Sequence, residues 1–397
     1  MRVRVVPSHC RSLALLTCFG VVLPILGCNT DKDNTSSSIG DGEDAGSSGA
    51  TEGASDAEAS ATKDDGDDDS AGDGDGEDEA TGSLSPAEEE ATAPFDCDNL
   101  PPLPATYTTI VGPGRSEDFS FSAGGSLLTI SEGHLISHGY DGTTEIVAPS
   151  VLETNFHGDK TSHGLVVLPG GDIVFGDSGR SALVRVTPNG GQTTLLEELP
   201  FPNGIAVDRE GRIYVTVVLG HPGDPTPDEI SDDVADKGVV IRVDPDSGEY
   251  EVVADTLTLP NGLAFGPSYA VLYIGSHMDG GFIYALDIAS GQLAIAAEGV
   301  GGKGILGTGS LDGISVDRCG NIYATEIGSA VVWRVSPDGQ TVEKVVDLSS
   351  AGVMWVPSCH FGSGRGGWGA QNLYVVSYEK YHIYEIPLGV PGVDAAH

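Results

Sequence analysis

One short phrase recurs along the chain and carries the side chains that could do chemistry. It is a polar residue, usually followed by glycine, and then a run of apolar residues; five copies begin at Glu117, His163, Asn203, Asn261 and Asp312, and a degenerate sixth copy begins at Pro357. Carboxylate and amide oxygens without a thiolate favour a hard cation such as Ca²⁺ or Mg²⁺. If the fold brings these residues together, they form a candidate cation site. The alternative is that the Asn-Gly and Asp-Gly pairs are tight turns and that Glu117 is a solvated surface acid.

The spacing of the copies predicts the elements that position them. Successive copies lie roughly 40 to 60 residues apart, the interval expected of a β-propeller blade. Within the intervals, short apolar strands such as Ile322-Tyr323-Ala324 alternate with hairpin turns such as Pro337-Asp338-Gly339. Four strands per interval and 57 glycines favour an all-β, six-bladed propeller. Each copy would then open the innermost strand of a blade, at the mouth of one central channel.

Three segments depart from the repeat. The stretch 219–237 is an insertion in the third blade that could lean over the channel. The Gly-rich stretches 300–310 and 362–369 are expected to be flexible loops, because the first has no helix after its GxGxxG match and the second lacks the Lys of a P-loop. The chain contains neither GxSxG nor HExxH, so the common serine hydrolase and zincin sites are not indicated.

The phrases resemble the repeats of the SMP-30/gluconolactonase family. The resemblance rests on Pro202-Asn203-Gly204, Pro260-Asn261-Gly262, the stretch 312–323 and the closing phrase Pro387-Leu388-Gly389, and it spans residues 115–392. It implies a six-bladed β-propeller that hydrolyses a lactone, which is a cyclic ester, with the help of a divalent metal ion.

The same resemblance implies roles for individual residues. The metal ligands would be Glu117, Asn261 and Asp312, and Asp118 lies one residue from the first of these positions. Asp312 would also be the catalytic general base that activates water, and Asn203 would bind and orient the substrate. Ca²⁺ is the expected ion, with Mg²⁺, Mn²⁺ or Zn²⁺ as alternatives, and it would polarise the lactone carbonyl.

His163 takes the same place in the second copy and is a candidate substrate-binding residue. Its unperturbed pKa lies near neutrality, so it could contact the substrate or shuttle a proton. The alternative is a hydrogen-bonded histidine that lines the channel. Phe201 stands two residues before Asn203, where the animal members of the family carry an Arg. This difference suggests a ligand less polar than a sugar acid.

A second functional class stays open, because propellers host many unrelated activities. The alternative to a lactonase is a non-catalytic propeller, displayed on the cell surface, that binds a ligand or a partner and holds at most a structural ion. Metal-dependent turnover separates the two hypotheses.

The first 27 residues are typical of a bacterial lipoprotein signal peptide. Arginines at positions 2, 4 and 11 precede an apolar run from Leu13 to Leu26, which is too short for a transmembrane helix. Ile25-Leu26-Gly27-Cys28 resembles a lipobox, so Cys28 is the predicted lipidation site; the alternative is an ordinary secretory signal. We therefore expect an exported protein anchored to a bacterial membrane by acyl chains, on its periplasmic or cell-surface side.

Residues 28–95 are predicted to be a disordered acidic linker ahead of the propeller at 96–397. Between positions 31 and 96 there are 22 acidic residues and two lysines, so this segment carries half of the chain's net charge of −40. With few large apolar side chains it cannot bury enough surface to fold, and self-repulsion extends it. The acidic balance also argues against nucleic acid as a partner, since phosphate binding needs clustered Lys and Arg.

Three cysteines follow Cys28 in the chain: Cys97, Cys319 and Cys359. An odd number allows at most one intramolecular bridge. Cys97 lies just ahead of the first blade, where a disulfide to Cys319 or to Cys359 would fix the segment that enters the propeller. No Cys/His cluster in the sequence has the spacing of a structural zinc site.

Overall fold

A computed structural model describes residues 94–112, 114–152, 154, 160, 162–226, 235–277, 280–304 and 307–393. The predicted signal peptide, Cys28 and all but the end of the predicted linker lie outside these residues, as does part of the insertion in the third blade. No helix within the described ranges is long and apolar enough to span a membrane.

These residues form the predicted all-β propeller with six blades. Each blade is a four-stranded antiparallel sheet, and a single 3₁₀ turn at Ser349–Ala351 is the only helical element in the described part of the chain. In the first five blades the strands pair in the order in which they occur in the sequence. The first strands of successive blades contact one another, which places them around the central channel.

The first three blades contain strands β2 to β13. Blade one consists of β2 (Phe119–Phe121), β3 (Leu127–Ser131), β4 (His134–His138) and β5 (Thr144–Ala148). Blade two consists of β6 (Leu165–Val167), β7 (Ile173–Asp177), β8 (Ala182–Val186) and β9 (Gln192–Leu196). Blade three consists of β10 (Pro202–Val207), β11 (Ile213–Val217), β12 (Gly238–Val243) and β13 (Tyr250–Leu257).

The remaining strands complete the ring. Blade four consists of β14 (Pro260–Phe265), β15 (Val271–Ser276), β16 (Ile283–Asp287) and β17 (Leu293–Ala297). A two-stranded hairpin, β18 (Lys303–Gly304) and β19 (Gly307–Thr308), precedes blade five. Blade five consists of β20 (Leu311–Val316), β21 (Ile322–Glu326), β22 (Val331–Val335) and β23 (Val342–Asp347), and blade six contains β24 (Cys359–Phe361), β25 (Asn372–Ser377) and β26 (His382–Pro387).

Blade six is completed by a strand from the other end of the propeller sequence. β1 (Thr108–Val111) pairs antiparallel with β26, with Thr108 opposite Glu385 and Val111 opposite His382. The sheet therefore has the order β1-β26-β25-β24. Backbone hydrogen bonds between the first and last strands close the ring of blades.

Apolar residues of neighbouring blades pack against each other between the sheets. Ala206 and Tyr214 of blade three share one buried cluster with Leu263 and Phe265 of blade four. The Tyr214 and Phe265 rings meet edge to face, with their centroids 5.1 Å apart. Full burial of a large apolar side chain contributes roughly 1.5 to 3 kcal/mol, so these layers are a main source of the ring's stability.

The glycine of the recurring phrase is required by the close approach of the inner strands. A Cβ atom on Gly204 would lie 2.2 Å from the carbonyl oxygen of Asn261, and one on Gly262 would lie 2.4 Å from that of Asp312. Both glycines lie inside inner strands, at the register shifts of β10 and β14. The alternative that these Asn-Gly pairs are tight turns is therefore wrong.

Two stretches predicted to be flexible loops are instead held by specific contacts. The stretch 300–310 contains the hairpin β18–β19, and the buried carboxylate of Glu326 accepts the backbone N–H of Gly302 at 2.8 Å. In the stretch 362–369, Trp368 is buried against the rings of Phe121 and Tyr374. One large aromatic side chain thus fixes a segment whose glycine content suggested mobility.

Cys97 and Cys319 form a disulfide, which confirms one of the two predicted pairings. Cys319 lies in the turn between β20 and β21, so the bond joins the segment that enters the propeller to blade five, 222 residues later. Cys359 is a buried free thiol. In the chain-entropy model, closing so long a loop stabilises the fold by about 5 kcal/mol.

Candidate functional site

All six blades contribute to one small cavity at the channel mouth, the end of the channel where the inner strands begin. We call it the ring cavity; every blade supplies a polar residue to its lining, namely Asp118, His163, Asn203, Asn261, Asp312 and, from blade six, both Ser358 and His360. Its volume is about 20 Å³, which is room for one water molecule or one ion. The fold thus brings together four of the five predicted polar site residues.

Asp312 lies against Asn261, the residue at the same place in the preceding blade. Although Asp312 keeps some solvent exposure, its carboxyl group is surrounded by protein, and the Asn261 side chain hydrogen-bonds to it. Burial and the negative charge of Asp118 raise the pKa of Asp312 well above its ordinary value, while the hydrogen bond from Asn261 acts in the opposite direction. A carboxyl group with a raised pKa is suited to take a proton from water.

His163 is held in one orientation by two neighbours. Its Nδ1 contacts Oε2 of Glu117, and its ring packs on the Phe201 ring with their centroids 4.6 Å apart. Burial lowers the pKa of His163 to about 4. A neutral ring that donates Nδ1–H to Glu117 keeps Nε2 as an acceptor, and Nε2 has no partner among the described residues.

Phe201, which stands where the animal members of the family carry an Arg, is fully buried. Its ring supports His163 from within the protein and adds no apolar surface that a ligand at the channel mouth could reach. The position of Phe201 therefore does not support the expectation of a ligand less polar than a sugar acid.

The two acidic residues of the first copy have different surroundings. Glu117 contacts His163 and is not part of the ring-cavity lining, whereas Asp118 is. Oδ2 of Asp118 accepts the N–H of Leu165 in blade two at 2.8 Å. Its Oδ1 lies 2.5 Å from Ser358 Oγ and 2.8 Å from His360 Nε2, both in the blade-six segment. Asp118 therefore links three blades at the ring cavity.

The donor set of the ring cavity fits a hard divalent cation. Asp118 and Asp312 offer carboxylate oxygens, and Asn203 and Asn261 offer amide oxygens, around a space of ion size. Within the described ranges, no group of three or more His, Cys, Asp or Glu residues lies close enough to hold a metal ion by itself. An ion here would depend on the amide oxygens as well as on the carboxylates.

Buried polar atoms without a hydrogen-bond partner are concentrated at the channel mouth. Among the described residues they are Ser162 Oγ, His163 Nε2, Ser178 Oγ, His277 Nε2, Ser310 Oγ and Trp368 Nε1. All except Trp368 either precede an inner strand or directly follow the second strand of a blade, and both places lie at this end. The sequence pattern does not mark His277, because the recurring phrase covers only the start of each inner strand.

Comparison with known proteins identifies a family and a shared fold. A family model described as the SMP-30/Gluconolactonase/LRE-like region matches residues 138–379. A gluconolactonase of Zymomonas mobilis is 26% identical over 198 residues, which are 45% of this chain and 52% of that protein. The chain therefore spans about half the length of this curated relative.

Two solved structures share the fold. A gluconolactonase from Xanthomonas campestris superposes with a TM-score of 0.55 and 22% identity, over 72% of this chain and 90% of that one. The calcium-binding protein regucalcin from Agrobacterium tumefaciens superposes with a TM-score of 0.52 and 15% identity, over 70% of this chain and 95% of that one. The family model covers more than half of the 397 residues. The chain belongs to the SMP-30/gluconolactonase/LRE-like family.

Proposed function

We propose that this protein is a lactonase that depends on a divalent cation and hydrolyses a cyclic ester at the ring cavity. The observation that carries the proposal is the meeting of Asp312, whose pKa is raised, with Asp118, Asn203 and Asn261 around a space of ion size. The activity named for the Zymomonas mobilis relative supports the reaction class. The calcium binding named for the Agrobacterium tumefaciens protein agrees with the choice of ion.

Asp312 and Asn261 would hold the cation together with a carboxylate of the first blade. Two residues are candidates for that carboxylate. The recurring phrase indicates Glu117, whereas the lining of the ring cavity indicates Asp118. When bound, the cation would supply Lewis-acid polarisation of the lactone carbonyl. Ca²⁺ suits the mixed carboxylate and amide oxygens, and Mg²⁺, Mn²⁺ and Zn²⁺ are the alternatives.

The side chains of the protein would position the substrate and move a proton. Because the ring cavity has room only for one ion or one water molecule, the lactone would bind in the open channel mouth next to it. Asp312 takes a proton from water as the water oxygen bonds to the carbonyl carbon, and the ring C–O bond then breaks. The proton passes to the departing oxygen, so the product is a hydroxy acid. Asn203 and His163 Nε2 would orient the substrate by hydrogen bonds.

We place this activity outside the cytoplasm, on a bacterial membrane. The support is the sequence of the first 27 residues and Cys28, with the acidic segment 28–95 as a spacer between the lipid anchor and the propeller. Radiolabelled fatty acid incorporated into the wild-type chain and absent from the Cys28→Ala chain would establish the anchor. Equal labelling of both chains would exclude lipidation at Cys28.

The experiment that tests the reaction is hydrolysis of a lactone panel by the purified full chain, followed with a pH indicator. The assay is run after chelation with EDTA and again after addition of Ca²⁺, Mg²⁺, Mn²⁺ or Zn²⁺. We expect turnover that EDTA abolishes and that Ca²⁺ restores. Absence of turnover across the panel, with a melting temperature that still depends on the ion, would favour the non-catalytic propeller with a structural ion.

A further inference from the structure

His277 is a buried polar side chain at the channel mouth that the proposed reaction leaves unexplained. It directly follows β15 in blade four and is 5% exposed. Its backbone N–H donates to the carbonyl oxygen of Leu259 at 3.0 Å. Its Nδ1 lies 3.3 Å from the carbonyl oxygen of Leu311, the residue before Asp312. His277 therefore sits at the junction of blades four and five, beside the proposed general base.

The contact with Leu311 determines which ring nitrogen carries the proton. A carbonyl oxygen can only accept, so Nδ1 donates, and in a neutral imidazole Nε2 is then an acceptor. Burial lowers the pKa of His277 to about 4, so the ring is neutral at pH 7. Nε2 has no hydrogen-bond partner among the described residues. An unpaired buried acceptor is unfavourable, and in native proteins it calls for an occupant that satisfies it.

His163, in blade two, shows the same arrangement. Its Nδ1 is engaged by Glu117, and its buried Nε2 has no partner in the described residues. Next to Leu311, the buried Ser310 Oγ is also unpaired. Two neutral imidazoles thus keep buried, unpaired acceptors near one end of the channel. Acceptors of this kind are satisfied by hydroxyl or N–H donors.

We propose that His277 is a ligand-binding residue whose Nε2 accepts a hydrogen bond from a hydroxyl group of the bound lactone. The inference rests on the proposed lactonase function and adds a recognition element that neither the recurring phrase nor the family resemblance assigns. It requires a ligand that carries hydrogen-bond donors on the side that faces blades four and five. A lactone without hydroxyl groups leaves Nε2 unpaired and gains nothing from His277.

Two lactones with the same six-membered ring test this: glucono-δ-lactone, which carries hydroxyl groups, and δ-valerolactone, which carries none. His277→Asn keeps a donor at the place of Nδ1 for Leu311 and removes the acceptor at the place of Nε2. We expect it to raise KM for the hydroxylated lactone about five- to tenfold and to leave KM for δ-valerolactone unchanged. His277→Gln, whose amide reaches the place of Nε2, should recover part of the loss.

The matched control is Trp368→Phe, which removes the one unpaired buried polar atom of the described residues that lies away from the mouth. It should change neither KM. If His277→Asn weakens both lactones equally, or lowers only the melting temperature, His277 is a packing residue and the proposal is overturned.

A binding measurement separates this inference from the proposed reaction. The imidazole nitrogen NMR signals of the full chain are followed during titration with the sugar acid that glucono-δ-lactone yields. We expect the Nε2 signal of His277 to shift, whether or not the protein turns over any lactone. If turnover is absent and the signal shifts, the reaction is wrong and the binding role stands. If the signal does not move while the lactone is hydrolysed, the binding role is wrong and the reaction stands.

Discussion

Asn261 and Asp312 occupy the same place in adjacent blades, and the amide of the first hydrogen-bonds to the carboxyl group of the second. Gly262, the residue after Asn261, is so close to Asp312 that an added Cβ would lie 2.4 Å from its carbonyl oxygen. The close approach of neighbouring inner strands therefore determines both the packing of the ring and the contact between Asn261 and Asp312.

Replacing Gly262 with Ala tests that coupling. The added methyl group meets the backbone of blade five, so we expect a loss of unfolding free energy of about 2 kcal/mol together with lower activity. Gly170→Ala is the matched control, because a Cβ there has nothing within 4 Å. Chemical denaturation of both variants measures the difference. Equal stabilities would show that the inner strands do not need this glycine.

Replacing Asp312 with Asn should separate activity from stability. If Asp312 is the general base of the proposed reaction, kcat should fall by a factor on the order of 10² to 10⁴. Removing a buried charge near Asp118 should at the same time raise the melting temperature of the metal-free protein. Asp317→Asn is the control, since this buried carboxylate accepts hydrogen bonds from Asn321 and Tyr323 and should affect mainly stability. Full activity of Asp312→Asn would remove Asp312 from the mechanism.

The buried histidines predict a loss of stability in acid. Burial lowers the pKa of His138, His163 and His277 to about 4, so between pH 6.5 and 4 the folded state binds fewer protons than the unfolded state. The stability that depends on these neutral histidines is fully present above pH 6.5 and is lost as the pH falls towards 4. The raised pKa of Asp312 acts in the opposite sense, because there the folded state holds the extra proton.

His138 isolates this effect, because it lies outside the ring cavity and contacts Thr129 Oγ1 through Nε2. The wild type should lose up to about 3 kcal/mol of unfolding free energy through His138 between pH 7 and pH 4, and His138→Gln should not show this loss. Denaturation curves across this range give the difference at each pH. A constant difference would mean that the folded and unfolded states share the same His138 pKa.

Reduction of the disulfide should destabilise the propeller. We expect dithiothreitol to lower the unfolding free energy by about 2 to 5 kcal/mol, because the Cys97–Cys319 bond constrains the unfolded chain. Cys319→Ser should show the same loss without reductant and no further response to it. The buried Cys359 should react with a thiol reagent only after unfolding. A wild-type melting temperature that is the same with and without dithiothreitol would contradict this account.

The parts of the fold that the sequence predicted are those with a local signature. The inner strands were found because Asn203, Asn261 and Asp312 each stand next to a glycine that the converging strands require, so the pattern repeats within a few residues. β1 has no such signature, because its pairing with β26 is decided by a partner at the far end of the chain. The fixed position of Trp368 likewise depends on Phe121, a residue of another blade.

The same reasoning explains what was and was not predictable at the site. Asn261 and Asp312 could be placed together because blade spacing brings equivalent positions into one ring. The buried, unpaired Nε2 of His277 could not be predicted, since His277 packs at the junction with Leu311, a residue of the next blade. The difference between Glu117 and Asp118 is one of side-chain direction, which the sequence pattern does not contain.

The position of Cys97 has a mechanical consequence. The disulfide lies upstream of β1, and the turn that holds Cys319 is also bound by the C-terminal segment, where Arg318 N–H donates to the carbonyl oxygen of Pro391 at 2.9 Å. A pulling force applied to the chain before Cys97 therefore passes through a covalent bond into blade five. The four residue pairs of β1 and β26 carry no load until that bond breaks. Tension on the N-terminal segment therefore cannot separate β1 from β26 and open the ring of blades.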